Sequence, residues 1–230
     1  MKKLGLVGGI GPESTIPYYR DIVYGVRDRV GGNFFPNLCI ESVSVFDVLG
    51  FCARNDYEGL TAYVSNAIEN LVKSGAEIVA ITGNTPHIVF EQLQKRSPVT
   101  IISIVEATRN QALQQGRKRL GLLGTGATMR ADFFKEPFRR SDIVVVTPRE
   151  DEIAVIDRII SSELELGIIK EESLRVLQRI IARMQKDEAI EALILGCTEL
   201  PLLLNDDVSP VPCLDTMKIH IDVLIDEILK

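Results

Sequence analysis

The chain has no tryptophan, only two histidines and only four cysteines among 230 residues. These scarcities exclude several classes of protein. Cys39, Cys52, Cys197 and Cys213 include no C-x-x-C pair, and His87 and His220 are isolated, so no zinc site is implied by spacing. Apolar runs are short, and none has transmembrane length. The start Leu4-Gly5-Leu6-Val7 comes after two lysines, as in a signal peptide, but breaks at Gly8-Gly9 and is polar by Glu13. That pattern suits a first buried strand better than a secretory signal. A cytoplasmic protein with reduced thiols is expected. Basic charge is not in excess: the net charge is −6, and Arg117-Lys118-Arg119 reads as a solvated helix end. Neither a nucleic acid nor a membrane is an expected partner.

Apolar residues make up 46% and charged residues 25%, the balance of a globular protein with a sizeable core. Short apolar runs alternate with longer amphipathic stretches. The runs at 4–7, 38–43, 78–82, 100–102, 120–123, 143–146, 192–195 and 211–214 read as buried strands. The stretches at 14–27, 57–74, 104–115, 152–166, 171–186 and 219–229 read as helices. Ser14 is expected to cap the first of these, and Gly75, Gly116 and Gly167 to end later ones. Such alternation predicts parallel sheets covered by helices.

The second half echoes the first. Leu4-Gly5-Leu6-Val7-Gly8-Gly9 resembles Leu120-Gly121-Leu122-Leu123-Gly124-Thr125. Glu77-Ile78-Val79-Ala80-Ile81-Thr82-Gly83-Asn84-Thr85 resembles Glu191-Ala192-Leu193-Ile194-Leu195-Gly196-Cys197-Thr198-Glu199. The two matches fall in the same order at nearly the same offset. The expected fold class is therefore α/β, with two pseudo-symmetric domains, each an open, mostly parallel sheet flanked by helices. The boundaries are placed at residues 1–102 plus 213–230 for the first domain and 103–212 for the second. In open parallel sheets ligands bind beyond the carboxyl ends of the strands. Gly8-Gly9, Thr82 to Thr85, Thr125 to Thr128 and Gly196 to Glu199 all come directly after strands, and a cleft between the domains is the expected site.

Gly9-Ile10-Gly11 lacks the third glycine of a dinucleotide loop, since Ser14 stands in its place, and no organic cofactor is implied. Cys197 lies between an apolar run and the polar Thr198-Glu199, with Pro201 suited to a helix start. A thiol at a helix N-terminus favours the thiolate, which makes Cys197 a candidate base or nucleophile; the bland alternative is a buried strand-end cysteine. Asn84 and Thr85, with nearby backbone N–H groups, can hold a carboxylate without a metal. For His87 a structural hydrogen bond is favoured over proton transfer. Glu165, just before Gly167, would repel an acidic substrate side chain if it faced the ligand; otherwise it is a solvated helix residue.

Several segments together resemble the aspartate/glutamate racemase family, over nearly all of the chain. They are Gly8-Gly9-x-x-x-x-Ser14-Thr15 with Tyr18-Tyr19, Asn84-Thr85-Pro86-His87, Leu122-Leu123-Gly124-Thr125-x-x-Thr128-Met129 with Phe133-Phe134, Gly196-Cys197-Thr198-Glu199, and Asp215-x-x-x-x-His220. The nearest branch is the broad-specificity amino-acid racemases. The resemblance implies an isomerase working without pyridoxal phosphate or metal, usually as a homodimer, on a small amino acid or carboxylate. It implies two cysteines on opposite faces of the substrate, one removing the α-proton and the other returning it. Here the second cysteine is Cys197, but Gly83 stands where the first is expected, just as it pairs with Cys197 in the internal repeat. Thr82, His87 and Glu199 are weaker candidates for the missing role or for orienting groups. Gly8, Gly9, Asn84, Thr85, Thr125, Thr128 and Thr198 are expected to bind substrate or shape its pocket. A single retained thiol implies a racemase biased toward one enantiomer; the alternatives are a one-cysteine decarboxylase of malonate-like acids or an inert binding relic.

Overall fold

The structure is a computed structural model describing residues 1–230. It contains eight strands: β1 (Leu4–Gly8), β2 (Leu38–Ser42), β3 (Ile78–Ile81), β4 (Thr100–Ile102), β5 (Arg119–Leu123), β6 (Val144–Val146), β7 (Ala192–Leu195) and β8 (Cys213–Asp215). They form two four-stranded sheets, in the orders β2-β1-β3-β4 and β6-β5-β7-β8, with every neighbouring pair parallel. The second order is the first counted again from β5. The echo read in the sequence is thus an echo of topology, with β1 answering to β5 and β3 to β7.

The chain divides into two compact units, Met1–Ile104 with Met217–Lys230, and Val105–Thr216. In the first unit the central strands β1 and β3 are covered on both faces, which is why they read as unbroken apolar runs. Leu4, Leu6, Ile78 and Ala80 face one side, where Tyr18, Ile22 and Val26 of helix Pro12–Val30 meet Ile221, Leu224, Ile225 and Ile228 of helix Thr216–Leu229. Val7, Val79 and Ile81 face the other, against Leu60, Val64, Ile68 and Leu71 of helix Tyr57–Lys73. This two-residue alternation is the strand period itself. In the second unit Leu123, Leu193 and Leu195 pack with Ile153, Ile156 and Ile160 of helix Glu150–Ser162 and with Leu177, Ile181 and Met184 of helix Glu171–Glu188. Gly75, Gly116 and Gly167 take positive φ after their helices, as expected.

Three expectations differ from the structure. The chain returns to the first unit after residue 216 rather than before 213, because β8 pairs with β7 and completes the second sheet. Ser14 does not cap its helix; Gly11 holds the cap position, Pro12 starts the helix, and the Ser14 hydroxyl turns back onto the carbonyls of Ile10, Gly11 and Thr82. The segment from 152 to 166 is not one helix, since the α-helix ends at Ser162 and a 3-10 turn succeeds it at Leu164–Leu166. No helix is long and apolar enough to cross a membrane.

Candidate active site

In the first unit the ends of β1 and β3 are tied by a buried hydroxyl network. The Thr82 hydroxyl donates to the Val7 carbonyl at 3.1 Å and lies 3.3 Å from the Thr15 hydroxyl, which accepts from Gly9 N–H at 2.9 Å. Gly9 has a φ of 79° and its Cα lies against the Val43 carbonyl, so no side chain fits there. Thr82 is fully buried and spends its hydroxyl proton on the strand end, which makes it a structural residue rather than a proton carrier. Asn84 and Thr85 come next, both buried, and open the 3-10 turn Thr85–Val89.

The position of Gly83 is filled by its neighbour. A Cβ built on Gly83 would sit 2.8 Å from Cγ2 of Ile10 and 3.0 Å from the Ile10 carbonyl oxygen. The place where a first thiol would project is therefore packed with an isoleucine side chain. The Gly83 carbonyl accepts from Nδ1–H of His87 at 3.0 Å. A carbonyl can only accept, so the proton sits on Nδ1 and His87 is neutral with a lone pair on Nε2. Burial holds its pKa down to about 4, against the upward pull of its two backbone hydrogen bonds. His87 stacks on Phe90 with 5.4 Å between ring centroids. This is the structural hydrogen bond expected from the sequence. His220, also buried, donates from Nε2 to the Ile102 carbonyl at 3.0 Å and accepts from the Tyr18 hydroxyl at 2.7 Å.

In the second unit Thr125 succeeds β5 and caps the short helix Gly126–Arg130, accepting from Thr128 N–H at 3.3 Å; the two threonine hydroxyls lie 3.0 Å apart. Cys197 lies just past β7 with only 6% of its surface exposed. Its Sγ donates to Oε2 of Glu199 at 2.9 Å, and the Thr198 hydroxyl donates to the same oxygen at 3.1 Å. The cysteine is thus held by its own loop in a Cys-Thr-Glu cluster.

The expectation of a resting thiolate is not met. Burial raises the Cys197 pKa well above its ordinary 9.0, and the charge and hydrogen bond of Glu199 add to it; the Glu199 backbone N–H pulls the other way and is outweighed. The helical element beyond Cys197 is only a three-residue 3-10 turn, Leu200–Leu202, which has little dipole to offer the sulfur. Cys197 rests as a thiol whose proton points at a carboxylate.

Two further acids belong to this unit. Asp157, which sequence reasoning missed, sits on helix Glu150–Ser162 and accepts from Gly126 N–H at 2.5 Å. That helix shows only an amphipathic period, so nothing local marks the residue. Glu165, on the 3-10 turn after the helix, is half-buried rather than solvated and lies within electrostatic range of Glu199, Asp157 and Cys197. The structure thus gathers Gly8, Gly9, Thr82, Gly83, Asn84, Thr85 and His87 at the strand ends of the first unit, and Thr125, Thr128, Cys197, Thr198 and Glu199 at those of the second.

Two four-stranded parallel α/β units, one with a thiol–carboxylate pair at a strand end, are the fold and the candidate site of this chain. Residues 7–224 match the model of the Asp/Glu/Hydantoin racemase family, and the chain belongs to that family. A curated relative is the broad-specificity amino-acid racemase RacX of Bacillus subtilis, 22% identical over 93% of this chain and 92% of its own length. Among solved structures, an aspartate racemase homologue from Pyrococcus horikoshii is 35% identical, with full coverage of both chains and a TM-score of 0.85. Glutamate racemase from Francisella tularensis, crystallised with D-glutamate, shares the fold at 15% identity, with a TM-score of 0.70 over 99% of this chain and 81% of its own. Amino-acid racemases are isomerases.

Proposed function

We propose that this protein is an amino-acid racemase working without pyridoxal phosphate, in which Cys197 is the one side-chain thiol that moves the α-proton. The observation that carries this reading is the short contact from Cys197 Sγ to Glu199 Oε2 inside the segment Gly196-Cys197-Thr198-Glu199. Glu199 takes the Sγ proton, the thiolate so formed takes the α-proton, and the electron pair of the broken C–H bond delocalises into the substrate carboxylate. Thr198 and neighbouring backbone N–H groups hold that carboxylate and stabilise the charge it gains. Reversal of the same steps returns the proton to the same face and restores the starting enantiomer. Inversion needs a second proton donor; Gly83, the position that answers to Cys197 in the repeat, has no side chain to be one, so water supplies that proton and inversion is slower than exchange.

The reading is tested by proton NMR in heavy water, with each enantiomer of several amino acids incubated separately. The expected result is loss of the α-proton signal from one enantiomer, faster than the other enantiomer accumulates. Cys197→Ala should lower the exchange rate roughly 10²–10⁴-fold. Undiminished exchange in that variant would overturn the role given to Cys197.

A further inference from the structure

Helix Pro12–Val30 buries Ser14, Tyr18, Ile22 and Val26, one turn apart, and its two flanks differ. One flank meets helix Thr216–Leu229: Gly25 lies against Ile225, and Arg29 pairs with Asp222 at 3.7 Å and with Asp226. The other flank runs beside β2, an edge strand of its sheet. There Thr15 and Ile40 close over Gly8, since a Cβ built on that glycine would sit 2.7 Å from Thr15 Cγ2 and 2.9 Å from Ile40 Cγ2. A helix face turned to water is expected to be polar. This face and the chain beside it instead carry Ile16, Tyr19, Tyr24, Phe35 and Ile40, each between 38% and 63% exposed. The Tyr24 and Phe35 rings meet edge to face at 5.9 Å, which joins the helix to the segment before β2 in one surface.

An apolar patch of this extent marks a binding surface. The five side chains leave on the order of 500 Å² in water. A standard interface takes about 800 Å² from each partner, somewhat over half of it apolar. The patch therefore matches the apolar centre of such an interface. Its charges have a direction as well. Glu13 and Arg27 lie on the exposed side of the helix, near its opposite ends, about four turns or ~21 Å apart. Glu13 makes no ion pair within the chain. Arg27 pairs with its exposed neighbour Asp28 at 2.6 Å, a contact worth little in water, and its guanidinium lies 4.8 Å from the centre of the Tyr24 ring. When two copies of this helix pack antiparallel about a two-fold axis at Arg20, each Glu13 meets Arg27 of the other copy and each Ile16 meets Tyr24. Arg20, on the axis, is neutralised in place by Asp21 at 2.7 Å.

We propose that this face is an interface between two copies of the chain, with helix Pro12–Val30 packed antiparallel on its counterpart across a two-fold axis. A contact of this kind closes on itself, so it gives a dimer and no longer array.

The test is sedimentation velocity of the full chain from about 1 to 100 μM. The unmutated protein should sediment with twice its 25.5 kDa mass. Ile16→Lys with Tyr24→Lys should weaken the dimer about hundredfold or more and leave the circular dichroism spectrum unchanged, because both positions are exposed. Glu13→Arg and Arg27→Glu should each weaken it about threefold to tenfold, and the two together should restore it to within about twofold. Ile168→Ser with Ile169→Ser, at exposed apolar positions of the second unit, should leave it unchanged. A chain that stays monomeric up to about 100 μM would overturn the proposal and leave the face to an unlike partner. So would a dimer untouched by the paired lysines, a dimer broken by the paired serines, or losses that add up when the two charge changes are combined.

Discussion

The strand-end loops after β3 and β7 occupy the same place in two sheets of identical order, yet one carries a cysteine where the other carries a glycine. After β7 the loop is organised around a carboxylate: Glu199 accepts from both Cys197 and Thr198. After β3 the loop is organised around a carbonyl: Gly83 accepts from His87, and Ile10 fills the space a side chain would take. The comparison shows that topology preserves a position without preserving its chemistry. The first loop is closed by packing and backbone hydrogen bonds, the second by proton-sharing between side chains.

The comparison breaks most readily at Glu199. Glu199→Gln keeps the size of the side chain but removes the base that accepts the Sγ proton, and α-exchange should fall on the order of 10²-fold. The same change removes the charge that raises the Cys197 pKa, so the thiol should alkylate faster at pH 8 even as turnover drops. Parallel losses of alkylation and exchange would contradict the coupling of Glu199 to the thiol.

The first loop offers a milder test. Gly83→Cys alone should destabilise the fold by about 1–3 kcal/mol and should not improve inversion, because the new side chain meets Ile10. Paired with Ile10→Ala, which removes the colliding Cγ2, it should recover most of that stability and raise inversion relative to exchange. Urea unfolding together with chiral chromatography of the product reads both quantities. A gain in inversion from the single substitution would show that Ile10 yields more easily than its packing implies.

The two units also differ in how acid affects them. His87 and His220 titrate at about 4 and about 3 in the fold, against 6.5 for an ordinary histidine, chiefly because burial opposes the charged form. Below pH 6.5 the unfolded chain takes up protons that the folded imidazoles refuse, so their contribution to stability falls as pH falls toward 4. Glu165 acts in the opposite sense: held at about 7 against 4.5 when free, it binds a proton in the fold first and favours the fold as pH falls from 7 to 4.5. Two fully buried imidazoles outweigh one half-buried carboxyl, and Tm should drop by roughly 5 °C or more between pH 6.5 and pH 4. Glu165→Gln should steepen the drop. A Tm that holds level over this range would show that the imidazoles ionise without opening the fold.

Much of the architecture is legible in the sequence because it depends on local pattern. The unbroken apolar runs at 4–7, 78–82, 120–123 and 192–195 mark strands buried on both faces, and Gly83 opposite Cys197 falls out of the repeat. The hidden part depends on contacts far apart in the chain. The apolar stripe of helix Thr216–Leu229 looks the same whichever sheet it covers, so sequence alone puts β8 in the first domain when it completes the second. Glu199, two residues from Cys197, reads as an orienting group, but its proton-accepting contact depends on the fold of the loop. Glu165 and Asp157 lie on one amphipathic stretch, and only the path of the chain after Ser162 brings Glu165 within range of Cys197.

The second unit is inserted into the first. Ile221, Leu224, Ile225 and Ile228 complete one face of the sheet that β1 begins, and Lys2 N–H donates to the Ile228 carbonyl at 2.9 Å. On the ribosome, therefore, residues 105–216 can reach their final contacts while the earlier-made sheet has only helix Pro12–Val30 over Leu4, Leu6, Ile78 and Ala80 and still lacks Ile221, Leu224, Ile225 and Ile228. The half translated first is the half finished last, and it passes that interval as the surface chaperones are built to recognise.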